Sequence, residues 1–309
     1  MYQKIKELLK KENGNVLVLV SISFMSLLTM AGFIIDGGKL YMTKAHLQKV
    51  ANAAALSGAQ ELTSGDKTLI DSIVYDILDY QNERQSLTND YQVVADDQVV
   101  LNNRVEVGLT KPVPLEFSRV FGLDAVDVSA RAVARLGVMG RARGAAPLGI
   151  DQSVPLEYGV SYQLKVDSSD VNTGNFGVLA LEDPGARTYE ENLRSGFQNE
   201  LQVGDVVDTQ TGNIAGKTRS VIDELVDSCS DVNARDCDRI LLVPVYKPYN
   251  QDVNQLMQVE ITGFAYFYIL ERMSATDTAI TGMFIKRTGT GYEDAAGVDR
   301  GAYSVRLTE

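Results

Sequence analysis

The sequence is poor in the side chains that carry most hydrolytic and metal chemistry. It holds one histidine, His46, and two cysteines, Cys229 and Cys237, in 309 residues. A Ser-His-Asp or Cys-His arrangement with His46 as its base has no support, because His46 falls on a membrane-proximal helix. A structural zinc site needs four nitrogen or sulfur ligands, and His46 is remote in sequence from the cysteines. No Lys/Arg-rich run occurs, and the net charge of −12 excludes the basic face of a nucleic-acid binder. No catalytic, cofactor-binding or metal-binding residue is therefore assigned, and no cofactor is expected.

Three weaker patterns deserve the same test. Gly216-Lys217-Thr218 resembles the end of a phosphate-binding loop, but the required earlier glycine is Thr211. A turn between strands is the simpler reading. Residues 167–174 offer oxygens for calcium at spacings that miss the EF-hand pattern, so they read as a solvated turn. Glu190 and Glu191 lie in a hydrophilic run and read as a surface helix or loop. Acid pairs that work on glycosides are defined by distance in space, so a carboxylate hydrolase stays open as an alternative. Cys229 and Cys237 sit in polar sequence (Ser228, Ser230, Asp231, Asp236, Asp238). They fit either a reduced buried pair or a small disulfide loop, and outside the cytoplasm the disulfide is preferred.

What is present is an uneven distribution of charge. Residues 1–14 carry a net +2, residues 15–35 carry none, and the remainder sums to −14. Residues 16–35 are 20 consecutive uncharged and mostly apolar positions. As a helix they span roughly 30 Å, the thickness of a bilayer's hydrocarbon core. The run is longer than the apolar part of a signal peptide and lacks a small-residue cleavage site after it. It is read as one membrane-spanning helix, with residues 1–14 as a cytoplasmic tip and the acidic body extracytoplasmic. Lys39, Lys44 and Lys49 follow the span closely, so charge alone orients it only slightly.

Helix formers continue from Lys39 to Leu62 without proline. Leu47, Ala51, Ala54, Ala55 and Gly58 make one small-residue face. Such a face lets another backbone come close, either the sheet of its own domain or a partner helix.

Here the chain resembles a known family. Gly14 to Val18 open the span, 35–41 (IDGGKLY) close it, and 47–59 (LQKVANAAALSGA) lie beyond it. These stretches closely resemble the N-terminal region of TadG-like proteins, part of the Tad/Flp group of bacterial pilus-assembly proteins with TadE-like relatives. The resemblance is strong over 13–61. It implies a single-pass, N-in membrane protein that takes part in assembling or anchoring a thin type IV-like pilus, with no catalytic residues. Pilins cut by a prepilin peptidase usually have Gly at the cut and Glu five residues into the mature chain. Counting from Gly14, that position is Leu19, which favours a permanently anchored accessory protein.

Beyond the helix, 66–86 shows an apolar stripe at helical spacing, with Leu69, Ile70, Ile73, Val74, Ile77 and Leu78. Residues 104–109 and 126–134 alternate as strands, and 115–122 is a short helix candidate. The glycine-rich stretch 137–146 reads as a linker. Strand-like runs then recur at 160–166, 176–181, 240–246, 258–270 and 279–286. The expected fold class is α+β: a transmembrane helix (15–36) continuing into a pilin-like helix-plus-sheet region (37–136), then a β-rich, sandwich or barrel-like domain (147–309). The function expected is that of a structural, non-enzymatic accessory protein of pilus assembly. Its expected partners are the membrane, pilus subunits, Tad machinery and TadE-like proteins through the N-terminal helix. The alternatives are a displayed binding or adhesion module and, third, an anchored hydrolase.

Overall fold

Glu12–Ala59 forms one unbroken 48-residue helix, α1. A computed structural model describes residues 12–96, 100–165, 176–182, 184–209, 214–252 and 255–308. The calcium reading at 167–174 and most of the basic tip lie outside the described residues.

The second half of α1 packs on a sheet. Asp66 caps the following helix, α2 (Lys67–Tyr80), by accepting from the backbone N–H groups of Thr68 and Leu69. Ile70, Val74 and Leu78 form its buried face. Strands β1 (Gln92–Val94), β2 (Arg104–Pro114) and β3 (Ala125–Ala142) follow as an antiparallel meander. The inward residues of β3 include Ala130, Ala132 and Ala134, which meet Ala51, Ala54 and Ala55 of α1 in one core cluster. Small residues on both sides let helix and sheet approach closely. Along one side, Lys39, Lys44 and Gln48 donate to the carbonyls of Pro114, Ser129 and Arg131. These bonds peg α1 to the sheet over its first turns beyond the span.

The stretch expected as a linker is a correction. Residues 137–142 continue β3, whose 18 residues reach roughly 60 Å. The glycines there serve close approach rather than freedom. A Cβ on Gly137 would fall 2.5 Å from the Glu293 side chain, and one on Gly140 would meet Asp294. The far end of β3 pairs with β7 (Leu201–Gln202) and β13 (Gly291–Glu293). Its middle pairs with β14 (Ala302–Leu307), which in turn pairs with β12 (Arg287–Thr288).

The second sheet closes on itself. β4 (Leu148–Asp151), β6 (Phe176–Ala180), β8 (Val206–Thr209), β9 (Ile240–Asp252) and β10 (Gln255–Ile269) form a five-stranded ring, because β10 pairs with both β8 and β9. β11 (Ala279–Ile285) and β5 (Ser161–Lys165) extend it from β10. Helices α3 (Ala186–Ser195) and α4 (Ala215–Ser228) cover the ring, contributing Tyr189, Leu193, Val221, Ile222 and Leu225 to its core. The barrel-like expectation therefore holds, and the class is α+β. A third cluster joins Met139 and Ala142 of β3 to Tyr246, Phe264 and Ala302, so the two sheets share a core.

Candidate functional site

The apolar half of α1 stands clear of the rest of the chain. Leu17, Leu19, Ile22, Met25, Leu27 and Ile34 are all more than 60% exposed, in a helix long and apolar enough to cross a membrane. Ser21 and Thr29 donate their hydroxyls back to the carbonyls of Leu17 and Met25, four residues earlier. Those polar groups carry no unmet hydrogen bond into an apolar surrounding.

Asp36, the first charge after the run, is buried and held by a loop 80 residues away. The backbone N–H groups of Glu116 (3.0 Å), Phe117 (3.1 Å) and Ser118 (2.6 Å) donate to its carboxylate, as does the Ser118 hydroxyl (2.7 Å). That loop, 115–124, is the turn between β2 and β3. It contains a 3-10 turn, Ser118–Phe121, closed by Gly122 at φ +85°. Lys39 adds an ion pair to Glu116 at 3.3 Å. Phe121 stacks on Phe33 with ring centroids 5.6 Å apart, and Phe117 lies against Gly32, where a Cβ would clash at 2.7 Å. The loop forms a collar on the last two turns of the apolar helix.

Leu47, Ala51, Ala54, Ala55 and Gly58, the face offered to either a sheet or a partner, are brought together and fully buried against α2, β2 and β3 of the same chain. Gly58 sits closest to its neighbours, with Val74, Val105 and Ile70 around it.

Residues 14–61 match the family model described as "Putative Flp pilus-assembly TadE/G-like". Over this stretch the chain is similar to the TadE/G-like proteins of Flp pilus assembly. No curated protein and no solved structure matches the chain. The TadE/G-like segment coincides with the apolar helix and the small-residue face, and it includes none of the barrel.

One buried ionic cluster ties the TadE/G-like segment to its sheet. Glu83 is almost fully buried and accepts from Lys111 Nζ (2.5 Å) and Ser86 Oγ (2.7 Å), with His46 Nε2 at 3.3 Å. Burial pushes this carboxyl up, but Lys111, Ser86 and His46 together outweigh it and hold its pKa below the ordinary 4.5. A carboxyl lowered by folding stabilises the fold above its unfolded value, and that contribution fades as pH falls through the folded value. Glu83→Gln is expected to lower stability at pH 7, and its difference from the native chain should shrink as pH falls below the ordinary carboxyl value. Denaturant titrations at pH 7 and at acid pH check this.

The remaining candidates are structural. Cys229 and Cys237 are joined by a disulfide, Cα to Cα 5.6 Å. The loop they close docks on the end of the TadE/G-like segment, where Arg235 bonds Gln60 and Glu61. Arg287 holds the same loop through the carbonyls of Val232, Ala234 and Arg235. A cleft of about 740 Å³ lies along this seam, and its one acidic lining residue, Glu61, is paired with Arg235 at 2.6 Å.

The Gly216-Lys217-Thr218 triplet opens α4 rather than a turn between strands. Lys217 pairs with Glu190 at 2.6 Å, and the buried Thr218 hydroxyl bonds Ile214 and Tyr189. Glu190 is further paired with Arg194, and Glu191 with Arg187. The lysine at Glu190 and its arginine neighbour hold that carboxyl below the usual range. Among the described residues, no group of three or more His, Cys, Asp or Glu is placed to hold a metal. Sequence reasoning missed the Asp36 collar. Its only local signal is an aspartate directly after an uncharged run, which also marks nothing more than the end of a span.

Proposed function

We propose that this chain is a permanently anchored accessory protein of Tad/Flp pilus assembly, acting through contacts and not through catalysis. The observation that carries the reading is the coincidence of the TadE/G-like match with one continuous helix, exposed and apolar at first and locked to its own sheet afterwards. In this reading the N-terminus is cytoplasmic and the sheet and barrel are extracytoplasmic. The disulfide supports that side, because such bonds persist in oxidising compartments. The small-residue face is occupied by the chain's own sheet, so contacts with pilus subunits, Tad machinery or TadE-like proteins fall to the span and the outer surfaces.

The test is a pull-down of the native protein from membranes in mild detergent, with partners identified by mass spectrometry. Co-recovery of pilin with the Tad secretion ATPase or its membrane platform is expected. Recovery of the intact, anchored protein alone would count against the assembly role.

A further inference from the structure

The collar carries an apolar surface that none of the described residues covers. Val120 is 83% exposed, Phe121 60%, Leu123 53% and Phe117 46%. All four belong to the loop that touches Gly32 and Phe33. Those two helix positions lie three and two residues before the last residue of the apolar run, roughly 3–5 Å below it at the helical rise. A loop side chain packed against them is therefore at the depth of the outer acyl chains.

The backbone of the loop is prepared for that depth. Irregular backbone within lipid costs several kcal/mol for each polar group left unmet. Asp36 takes the N–H groups of 116–118. The N–H groups of Leu115, Val120, Gly122 and Leu123 donate to Asp124, Phe117, Arg119 and Ser118 within the loop. Glu116 and Asp124 sit at the margins of the loop, and Arg119 lies within its turn. Glu116 pairs with Lys39, and Arg119 pairs with Asp124 at 3.3 Å.

We propose that the 115–124 hairpin tip is a second membrane-contacting element, seated in the lipid interface beside the span with Phe117, Val120, Phe121 and Leu123 among the acyl chains. Continuity with the apolar face of α1 argues for lipid as the occupant. N–H groups met at 115–118, 120, 122 and 123, together with an uncovered apolar tip at the same level, suit an interfacial wedge. The arrangement gives the protein two points of attachment and so fixes the rotation and tilt of its sheet against the bilayer.

The inference rests on the membrane-spanning reading of α1, and one experiment separates the two. The chain contains no tryptophan, so a single introduced one reports alone. Val120→Trp, Leu27→Trp and Tyr292→Trp would be made in the full-length protein and reconstituted into phospholipid nanodiscs. Parallel preparations contain lipid brominated near the head group or near the chain end. Val120→Trp is expected to emit in the blue and to be quenched about twofold by shallow bromine. Leu27→Trp should respond to deep bromine, and Tyr292→Trp to aqueous iodide only. If Leu27→Trp is quenched by bromine while Val120→Trp behaves like Tyr292→Trp, the tip is not in lipid and the proposal falls alone. If Leu27→Trp also escapes bromine, the span reading falls and takes the proposal with it. Val120 is so exposed that the larger ring meets no packing cost. Phe121→Trp, an aromatic exchange, repeats the measurement.

Discussion

Asp36→Ala is expected to release the 115–124 hairpin from α1 while leaving both the helix and the barrel folded. The carboxylate accepts from three backbone N–H groups and one hydroxyl, and alanine offers none of them an acceptor. Hydrogen bonds to a charged acceptor are stronger than neutral ones, and a donor left unmet in a buried place costs its full desolvation. The loop has few other ties to the helix: the Phe33–Phe121 stack, the Phe117–Gly32 contact and the Lys39 bonds. Without the carboxylate, amide exchange at 116–118 should quicken roughly tenfold or more while protection at β9 and β10 stays unchanged. Exchange mass spectrometry on the reconstituted protein reads both regions at once. Asp36→Asn, which keeps one acceptor oxygen, should fall between the two. Unchanged protection at 116–118 in the alanine variant would mean that the ring contacts alone hold the collar.

Gly58→Leu has the largest expected effect on global stability. Glycine within a helix is worse than a good helix former by about 0.8 kcal/mol, so propensity alone would make this exchange favourable. Space decides otherwise. Even the Cβ would come within 2.7 Å of Val74 Cγ2, and Val105 and Ile70 close the other sides. Val74 is fully buried and β-branched, with little rotamer freedom to give way. Overpacking of this kind costs about 3 kcal/mol, leaving a net loss of about 2 kcal/mol. For a protein of this size, at ~2.1 cal/mol/K of unfolding entropy per residue, that corresponds to a fall of roughly 3 °C in Tm. Thermal unfolding in detergent checks it. A native Tm combined with loss of partners in a pull-down would instead assign the face to a partner helix.

These two sites differ in how far the sequence announces them. The small-residue face is written locally: Leu47, Ala51, Ala54, Ala55 and Gly58 repeat at helical spacing, and any helix with that pattern wants a close neighbour. The pattern does not say which neighbour. The answer, Ala130, Ala132 and Ala134, is spelled in a different period, two residues, more than 70 positions on. The span, α2 and the long barrel strands were legible for the same reason, because each carries its own hydrophobic period.

The collar was not legible, because Asp36 and its donors are separated by 80 residues and the recognition is by backbone. The full length of β3 was hidden for a further reason. Gly137 and Gly140 carry the composition of a linker, yet their missing side chains make room for Glu293 and Asp294 across the sheet. β14 is short, and its pairing with β3 and β12 gives it its place. Lys217 looked like phosphate chemistry until Glu190 appeared beside it.

The pairing of β14 with β3 sets an order on the making of this protein. Tyr303 is buried in the same cluster as α1 and β2, and Leu307 pairs with Ala134. A chain that leaves the ribosome N-terminus first must therefore hold its helix and three-stranded meander half-built while the whole barrel is synthesised. Throughout that interval one side of β3 at 134–138 is an open strand edge, the kind of surface that recruits stray strands. Contacts this distant along the chain are also slow to form. The region nearest the membrane is thus the first to be made and among the last to be finished, and its time of greatest exposure to misassembly is during its own biosynthesis.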